Sequence, residues 1–275
     1  MTIRGAGLRR AKGGMKGFWA NLTAHYKKLG GVLLVGHRVE KLESMNNGYM
    51  VITRKGTFLA RQVVSAIPAE NTMTIAPPNI KQILNRYVTR DNDRYESAIV
   101  VFLGVPESEV SCQPITHHQL LYDYNLPLGN GNNMFISVSA QGDTDSAPKE
   151  YRAVMISTHC KLSEWRHLTE EAYQQKKEDM GKHLINLAKQ VYPQLGTNAV
   201  LYEVGTPRTY QKYTGRINGT VGGIRQNLQN SNQKAMPHDI GIKNFRMVGD
   251  TTWPGLGTVA CIVGSKIVAD QLLNN

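Results

Sequence analysis

The chain of 275 residues is 41% hydrophobic and carries 32 Lys and Arg residues against 21 Asp and Glu, a net charge of +11. Its length and hydrophobic content suffice for a substantial buried core, which excludes a disordered tail. The cysteines Cys112, Cys160 and Cys261 are far apart and odd in number, which argues against a disulfide scaffold and favours a reducing compartment. Neither they nor the His117-His118 pair has the spacing of a metal site, so we expect no bound metal.

The excess positive charge predicts attraction to an anionic partner, either a nucleic acid or a phospholipid surface. Neither zinc-finger spacing nor the aromatic signature of an RNA-binding domain accompanies this charge, so we favour a membrane surface and expect no nucleic acid partner. A basic surface exposed only to solvent is the alternative. No apolar run approaches the roughly 18 residues of a membrane-spanning helix. The expectation is therefore peripheral association with a membrane from its cytoplasmic side.

The first part of the chain predicts one helix followed by short strands. Apolar residues at helical spacing predict a helix over residues 16–29, with Gly30 as its C-cap. Turns at Asn46-Asn47-Gly48 and Lys55-Gly56 then separate four strand-like runs, at residues 31–35, 37–42, 49–53 and 62–66.

The middle of the chain has a different pattern. A helix is predicted over residues 77–88, and a longer one over residues 163–191 that Pro193 stops. Apolar runs between them predict strands at residues 97–105, 134–140 and 153–159. This region is interpreted as a sheet covered by helices on one side.

Near the C-terminus, a strand at residues 245–248 halts at Gly249-Asp250, and a Pro/Gly turn precedes a helix over residues 258–273. An Asp at the carboxyl end of a strand lies where α/β sheets bind ligands, and the next helix points its positive end into the same crevice. A flavin fits this pattern. Asp250 can accept a hydrogen bond from a ribityl hydroxyl, and the amides near Gly257, Thr258 and Val259 can face the N1/C2=O edge of the ring. Gly249, Gly255 and Gly257 permit close backbone approach, although each could serve an ordinary turn.

Two stretches carry a resemblance to a known family. Val248-Gly-Asp-Thr-Thr-Trp-Pro-Gly-Leu-Gly257 resembles the C-terminal flavin-binding signature of the carotenoid desaturase and isomerase family, within the amine-oxidase-like flavoproteins. Thr206-Pro-Arg-Thr-Tyr-Gln-Lys-Tyr-Thr-Gly-Arg-Ile-Asn-Gly-Thr-Val-Gly-Gly223 resembles the C-3',4' desaturase branch most closely. The segment from Gly13 onward also fits this family, so we do not interpret the basic N-terminal segment as a transit peptide.

The resemblance implies FAD as the cofactor and an acyclic, very apolar polyene as the substrate. By resemblance, Val39 would touch the adenine through its backbone, although an ordinary core valine is the alternative. Tyr213, Arg216 and Trp253 would lie on the substrate side, the first two in the segment that approaches the flavin, although a structural role such as a turn at Gly215 is the alternative. Trp253 stands where many relatives have His, a departure that either removes a polar group near the flavin or reshapes the pocket.

The fold class implied is mixed α/β. Residues 1–75 and 205–275 would form a partial FAD-binding, doubly wound domain, interleaved with a substrate domain at residues 76–204.

Family members open with a strand, G-x-G-x-x-G and a helix. The nearest candidate here is Gly5-Ala6-Gly7-Leu8-Arg9-Arg10, but Arg10 replaces the third glycine and no hydrophobic strand precedes it. The resemblance thus covers about the C-terminal half of a family member. The chain alone is predicted to bind FAD weakly or not at all, either as one half of a split enzyme with a separately encoded N-terminal half or as a truncated remnant.

The predicted reaction is desaturation of a carotenoid by hydride transfer to flavin, with the other hydrogen leaving as a proton. Conjugation stabilises positive charge on a polyene, so no strong general base is required and no catalytic residue is nominated. A carotene isomerase or a retinoid saturase of the same fold is an alternative. A non-catalytic lipid-binding or escort protein is another, because GDP-dissociation inhibitors of small GTPases share this architecture.

Overall fold

The computed structural model describes residue 11 and residues 13–273. The Gly5–Arg10 stretch weighed as a dinucleotide fingerprint lies outside these residues. The described helices are α1 (Gly14–Lys28), α2 (Ala69–Ile75), α3 (Pro78–Arg90), α4 (Glu170–Ala188), α5 (Pro207–Thr214) and α6 (Thr258–Leu273). The strands are β1 (Val39–Met45), β2 (Gly48–Thr53), β3 (Gly56–Ala60), β4 (Val63–Ser65), β5 (Glu96–Pro106), β6 (His117–Leu121), β7 (Asn133–Val138), β8 (Tyr151–Lys161), β9 (Leu201–Gly205) and β10 (Phe245–Met247). These elements form a mixed α/β fold, as predicted.

The predicted strand at residues 31–35 is wrong. This segment has no strand conformation, and Val32, Leu33, Leu34 and Val35 are all exposed. A strand requires a neighbouring strand to form hydrogen bonds with its backbone groups, and within the described chain no strand pairs with residues 31–35. The preceding helix α1 also has no buried residue. An apolar segment and the apolar side chains of α1, such as Met15, Trp19 and Leu22, therefore lie uncovered at the start of the fold.

Strands β1, β2 and β3 form a small antiparallel sheet in sequence order. The β1–β2 pairing runs from Met45 opposite Gly48 to Val39 opposite Thr53, with an irregularity between Val39 and Lys41. The sequence placed the first of these strands at residue 37, two residues too early, and did not predict β3.

Strands β4 and β10 form a parallel pair, with Phe245 opposite Val63 and Met247 opposite Ser65. Helices α2 and α3 contribute to the core around this pair, where Ile80, Leu84 and Phe245 are fully buried. Parallel sheets are normally covered on both faces and contain more than two strands. The pairing also brings the carboxyl ends of β4 and β10 to one edge, where the chain continues into α2 and into the Gly249-Asp250 turn.

The second sheet is antiparallel and has the order β6-β7-β8-β5-β9. The long strands β5 and β8 pair along their whole lengths, and α4 closes a core that includes Ile99, Ile136 and Leu184. The predicted helix at residues 163–191 is shorter than expected. It begins at Glu170 because the Thr169 side chain caps it, accepting a hydrogen bond of 3.2 Å from the Ala172 amide. Strands β6 and β9 were not predicted.

Helix α6 has the predicted bounds, but its environment is unusual. The helix is apolar on nearly every side, which is typical of a helix buried all round. Only Gly264 and Val268 are buried, whereas Val259, Ile262 and Val263 are exposed. Among residues 11 and 13–273, no helix combines the length and apolarity needed to cross a membrane.

Candidate flavin-binding site

The turn between β10 and α6 is shaped by glycines in the left-handed region. Gly249, Gly255 and Gly257 have φ values of 118°, 112° and 101°. The Gly249 carbonyl accepts a hydrogen bond of 2.9 Å from the Thr252 hydroxyl, and the Trp253 amide donates to Met236 O at 2.9 Å. Because residues with a Cβ atom rarely adopt such φ values, these positions favour glycine. The turn is therefore a defined loop at the end of a strand.

Gly264 lets α6 lie close to the ring of His238. A Cβ atom at Gly264 would lie 2.9 Å from His238 Cε1, closer than such contacts occur. His238 is in turn fixed to β10, since its Nδ1 lies 2.9 Å from Met247 O and its carbonyl accepts a 2.8 Å hydrogen bond from the Met247 amide. The absence of a side chain at position 264 thus lets α6 lie against His238, which is attached to β10.

Arg216 forms an ion pair with Asp250 across this turn. Arg216 Nη1 donates to Asp250 Oδ2 at 2.9 Å, and the two side chains are only 17% and 20% exposed. Arg216 follows Gly215, the left-handed C-cap of α5. The structure therefore joins two sequence-predicted site residues that lie 34 positions apart.

Residues 221–225 run alongside the start of β5 and reach the same turn. The Val221 amide donates to Glu96 O at 3.0 Å, and the Arg225 amide donates to Arg94 O at 3.1 Å. Between them, Gly223 has φ 76°, and a Cβ atom there would overlap the carbonyl of Asp250. Only glycine permits this approach of two backbones.

Glu70 and Tyr95 complete the polar cluster and were not predicted. Glu70 lies in the first turn of α2, after the carboxyl end of β4. Burial raises the pKa of its carboxyl, while Arg216 opposes that rise. Burial also raises the pKa of the Tyr95 hydroxyl, and the neighbouring Glu70 raises it further. The parallel pairing of β4 with β10 was the signal that could have located Glu70, because it brings the two strand ends together.

Replacing Glu70 by Gln should change how stability depends on pH. Burial holds the folded-state pKa of Glu70 above its ordinary value, so the wild-type carboxyl stabilises the fold when protonated and loses that contribution as pH rises through its folded pKa. We expect Glu70→Gln to melt higher than wild type at pH 7.5 and to match it near pH 4. Thermal unfolding followed by circular dichroism across this range is the measurement, with the exposed Glu171→Gln as control. Equal curves at all pH values would contradict the assignment.

Val39 and Tyr213 lie at a second location. Both line a cavity of about 590 Å³ together with residues at the end of β4 and in α2. Tyr213 is 76% exposed, and the Lys212 ammonium lies 5.3 Å from its ring centroid. Trp253 belongs to the Asp250 turn, where a cis peptide bond joins it to Pro254. The sequence-predicted residues thus divide between the turn and this neighbouring cavity.

The residues of the turn fit a flavin nucleotide. Several buried polar atoms at the turn and in the adjoining cluster have no hydrogen-bond partner among the described residues, including the Thr251 hydroxyl oxygen and Arg216 Nη2. Buried polar groups are normally paired, so a polar ligand is expected here. No heavy atom lies within 4 Å of the position where a Cβ atom of Gly257 would stand, which leaves the start of α6 open. Asp250 would accept from a hydroxyl of the cofactor, and the first amides of α6 would face its electron-rich edge. No group of three or more potential metal ligands occurs in the part of the chain described.

The family profile of the flavin-containing amine oxidoreductases matches residues 2–259. This chain belongs to that family. Its members are flavin-containing oxidoreductases, and FAD is the cofactor of this family.

Curated relatives of this amine oxidoreductase chain include plant enzymes. It is 30% identical over 179 residues to the chloroplastic prolycopene isomerase of Daucus carota, covering 64% of this chain and 29% of that protein. It is 29% identical over 179 residues to the chloroplastic prolycopene isomerase of Arabidopsis thaliana, covering 64% and 30%. The matched region is thus less than a third of the length of these relatives.

Solved structures share the fold of this amine oxidoreductase chain. An oxidoreductase from Methanosarcina mazei aligns with a TM-score of 0.62 at 16% identity, covering 94% of this chain and 55% of that one. A putrescine oxidase triple mutant aligns with a TM-score of 0.55 at 12% identity, covering 96% and 54%. The chain therefore corresponds to about half of each structure.

Proposed function

We propose that this chain is the C-terminal portion of an FAD-dependent oxidoreductase that desaturates an acyclic carotenoid. The observation that carries the proposal is the Asp250 turn, where a carboxylate, unpaired buried donors and an open helix start meet at the end of a parallel strand. The likeness to prolycopene isomerases supports a polyene substrate.

The residues of the chain would bind and orient rather than react. FAD, when bound, supplies the acceptor for two electrons and a proton. Asp250 would hold a hydroxyl of the cofactor, and the amides of Gly257, Thr258 and Val259 would favour negative charge at the ring edge near them. A polyene spreads positive charge by conjugation, so correct placement of the substrate is the main requirement. This division of labour agrees with the lack of a nominated general base.

A nucleotide-binding region, within the same polypeptide or encoded separately, is proposed to complete the FAD site. The support is local. Strand β4 pairs only with β10 among the described strands, and the apolar surfaces of α1, residues 32–35 and α6 lie uncovered. A region that adds parallel strands beside β4 would cover apolar surface and supply the helix that holds the pyrophosphate.

Charged substitutions on these uncovered surfaces should block association with that region. Val35 and Ile262 are 75% and 59% exposed, so Val35→Lys and Ile262→Lys should leave the melting temperature of the chain itself nearly unchanged. We expect each to weaken binding of a family member's nucleotide-binding region at least about tenfold, because a buried lysine at an interface costs more than about 1.4 kcal/mol. Binding is measured by calorimetry or co-purification.

Leu128→Lys is the matched control, since Leu128 is 67% exposed and lies in the loop before β7. Equal losses for all three variants would point to a general effect of added charge, and no loss for Val35→Lys and Ile262→Lys would contradict the proposed contact.

A single-turnover experiment distinguishes the candidate reactions. The FAD-loaded assembly is mixed with an acyclic carotene in lipid vesicles without oxygen. Desaturation predicts one new double bond for each flavin bleached, since the substrate loses a hydride to the flavin and a proton to solvent. Isomerisation, which the named relatives favour as the second candidate, predicts a changed geometric isomer with no net loss of oxidised flavin. Binding of the polyene without either change would support a lipid-binding protein and contradict both reactions.

Peripheral membrane association on the cytoplasmic side is part of the proposal. The support is the net charge of +11 and the proposed apolar substrate, which partitions into membranes. Positive charge near an anionic bilayer contributes about 1 kcal/mol per residue. Flotation with vesicles containing anionic lipid, but not with neutral vesicles, is the expected result, and equal flotation with both would contradict the electrostatic part.

A further inference from the structure

We propose that Arg216 is a positioning residue that orients Asp250 toward the flavin and presents a free guanidinium nitrogen to it. This inference rests on the assignment of the Asp250 turn as the flavin site. The role of Arg216 is argued from its own hydrogen bonds and its ion pair.

The backbone of Arg216 is fixed on both sides by one side chain of α2. Asn71 Nδ2 donates to Gly215 O at 2.8 Å, and the Ile217 amide donates to Asn71 Oδ1 at 3.4 Å. Gly219 follows closely, with a carbonyl that accepts a 2.5 Å hydrogen bond from Ser97 Oγ. The segment that carries Arg216 is thus attached to α2 and to β5. Its side chain is placed by the scaffold rather than by a free loop.

Two of the three guanidinium nitrogens of Arg216 donate hydrogen bonds within the described chain, and the third does not. Nη1 donates to Asp250 Oδ2 at 2.9 Å, and Nε donates to Thr220 Oγ1 at 3.3 Å. Nη2 is buried and has no partner among the described residues. A planar guanidinium held at two points has its third nitrogen fixed in direction. A ligand with a hydrogen-bond acceptor would satisfy that donor.

The geometry of Asp250 leaves it ready for a hydroxyl. Arg216 engages Oδ2, and no hydrogen bond to Oδ1 is formed among the described residues, which leaves Oδ1 available to accept from a ligand. The Gly223 backbone lies against the Asp250 carbonyl, which fixes the main chain at the same residue. Side chain and backbone of Asp250 are therefore both held by the segment that follows α5.

The surrounding charges favour this pairing over the alternative partner. Glu70 is the other carboxyl close to Arg216, and its pKa is raised by burial. Burial thus disfavours the ionised form of Glu70 as a partner for the guanidinium, and the ion pair that the structure shows is with Asp250. Tyr95 and Cys261, the other titratable groups that interact with Arg216, both have raised pKa values and carry no competing charge near neutral pH.

The test is the FAD-loaded assembly carrying Arg216→Gln or Arg216→Lys, with two readouts besides activity: the dissociation constant for FAD and the midpoint potential of the flavin. We expect Arg216→Gln to weaken FAD binding at least tenfold and to lower the potential, because a cation near the ring favours the reduced, more anionic flavin. Arg216→Lys should recover most of the potential but only part of the affinity, since lysine keeps the charge and loses the fixed geometry.

Arg225→Gln is the matched control, since Arg225 forms an exposed pair of 3.1 Å with Glu96 in the same segment. If Arg216→Gln lowers the melting temperature yet leaves both the affinity and the potential at wild-type values, the role is structural and the inference is wrong. If the wild-type assembly itself binds no FAD, the flavin site assignment fails first, and this inference fails with it.

Discussion

Asp250→Ala is expected to abolish FAD retention by the assembled protein while leaving the chain folded. The carboxylate would lose its hydrogen bond to a cofactor hydroxyl, and Arg216 would lose the partner 2.9 Å away. Hydrogen bonds to charged groups contribute about 1.5–3 kcal/mol each, so loss of the bond to the cofactor should lower the affinity by roughly 10- to 150-fold. The measurement is the flavin absorbance of the purified assembly, together with an equilibrium titration of FAD.

Two further variants make this result specific. Asp250→Asn keeps the shape of the side chain and removes its charge, so it should retain more FAD than Asp250→Ala but less than wild type. Asp93→Ala removes an acidic residue whose side chain is 80% exposed, and it should bind FAD like wild type. Wild-type flavin content in Asp250→Ala, with the melting temperature unchanged, would remove Asp250 from the set of cofactor ligands.

Gly223→Ala is expected to have the largest effect on the fold around the site. The residue has φ 76°, and an added Cβ atom would overlap the Asp250 carbonyl. The left-handed conformation alone costs an alanine about 1–2 kcal/mol, and the backbone overlap forces a further shift of the turn. We expect a loss of about 3 kcal/mol in the free energy of unfolding and loss of FAD binding. Chemical denaturation and FAD titration are the two measurements.

The neighbouring glycine provides a close control. Gly222 has φ 80°, and no heavy atom lies within 4 Å of the position its Cβ would take. Gly222→Ala should therefore lose only the stability that the unfavourable φ costs, and it should still bind FAD. If the two variants lose the same stability, the close approach to Asp250 is not what makes Gly223 necessary.

The strands with strong apolar runs and the terminal helix were predictable because their pattern depends on the local sequence. Helix α6 has the predicted bounds, and β5 and β8 lie within two residues of prediction. The segment at residues 31–35 failed for a different reason. Its sequence favours a strand, but no other described strand pairs with it. A segment forms a strand only when another strand pairs with it, and the sequence of one segment does not show whether such a partner exists.

The site was predictable in part. The Gly249-Asp250 turn and the glycines after it follow from short motifs, and Arg216 was identified within a longer resemblance. The ion pair between Arg216 and Asp250 could not be predicted from either motif, because it depends on how α5 ends relative to β10. Glu70 is separated in sequence from both, and only the parallel pairing of β4 with β10 brings it near. Motifs in the sequence did not show which residues from distant segments lie next to each other in the fold.

The pairing of β4 with β10 also bears on how such proteins diversify. Residues 63–65 and 245–247 come from opposite parts of the chain, and the five-stranded sheet lies in the connection between them. The entropy of closing a connection rises slowly with its length, by about 0.6 kcal/mol for each doubling. The intervening region can thus lengthen, shorten or change shape at small cost while the strand pair and the turn after it stay in register. Evolution can then change the intervening region while keeping the strand pair and the proposed flavin-binding turn.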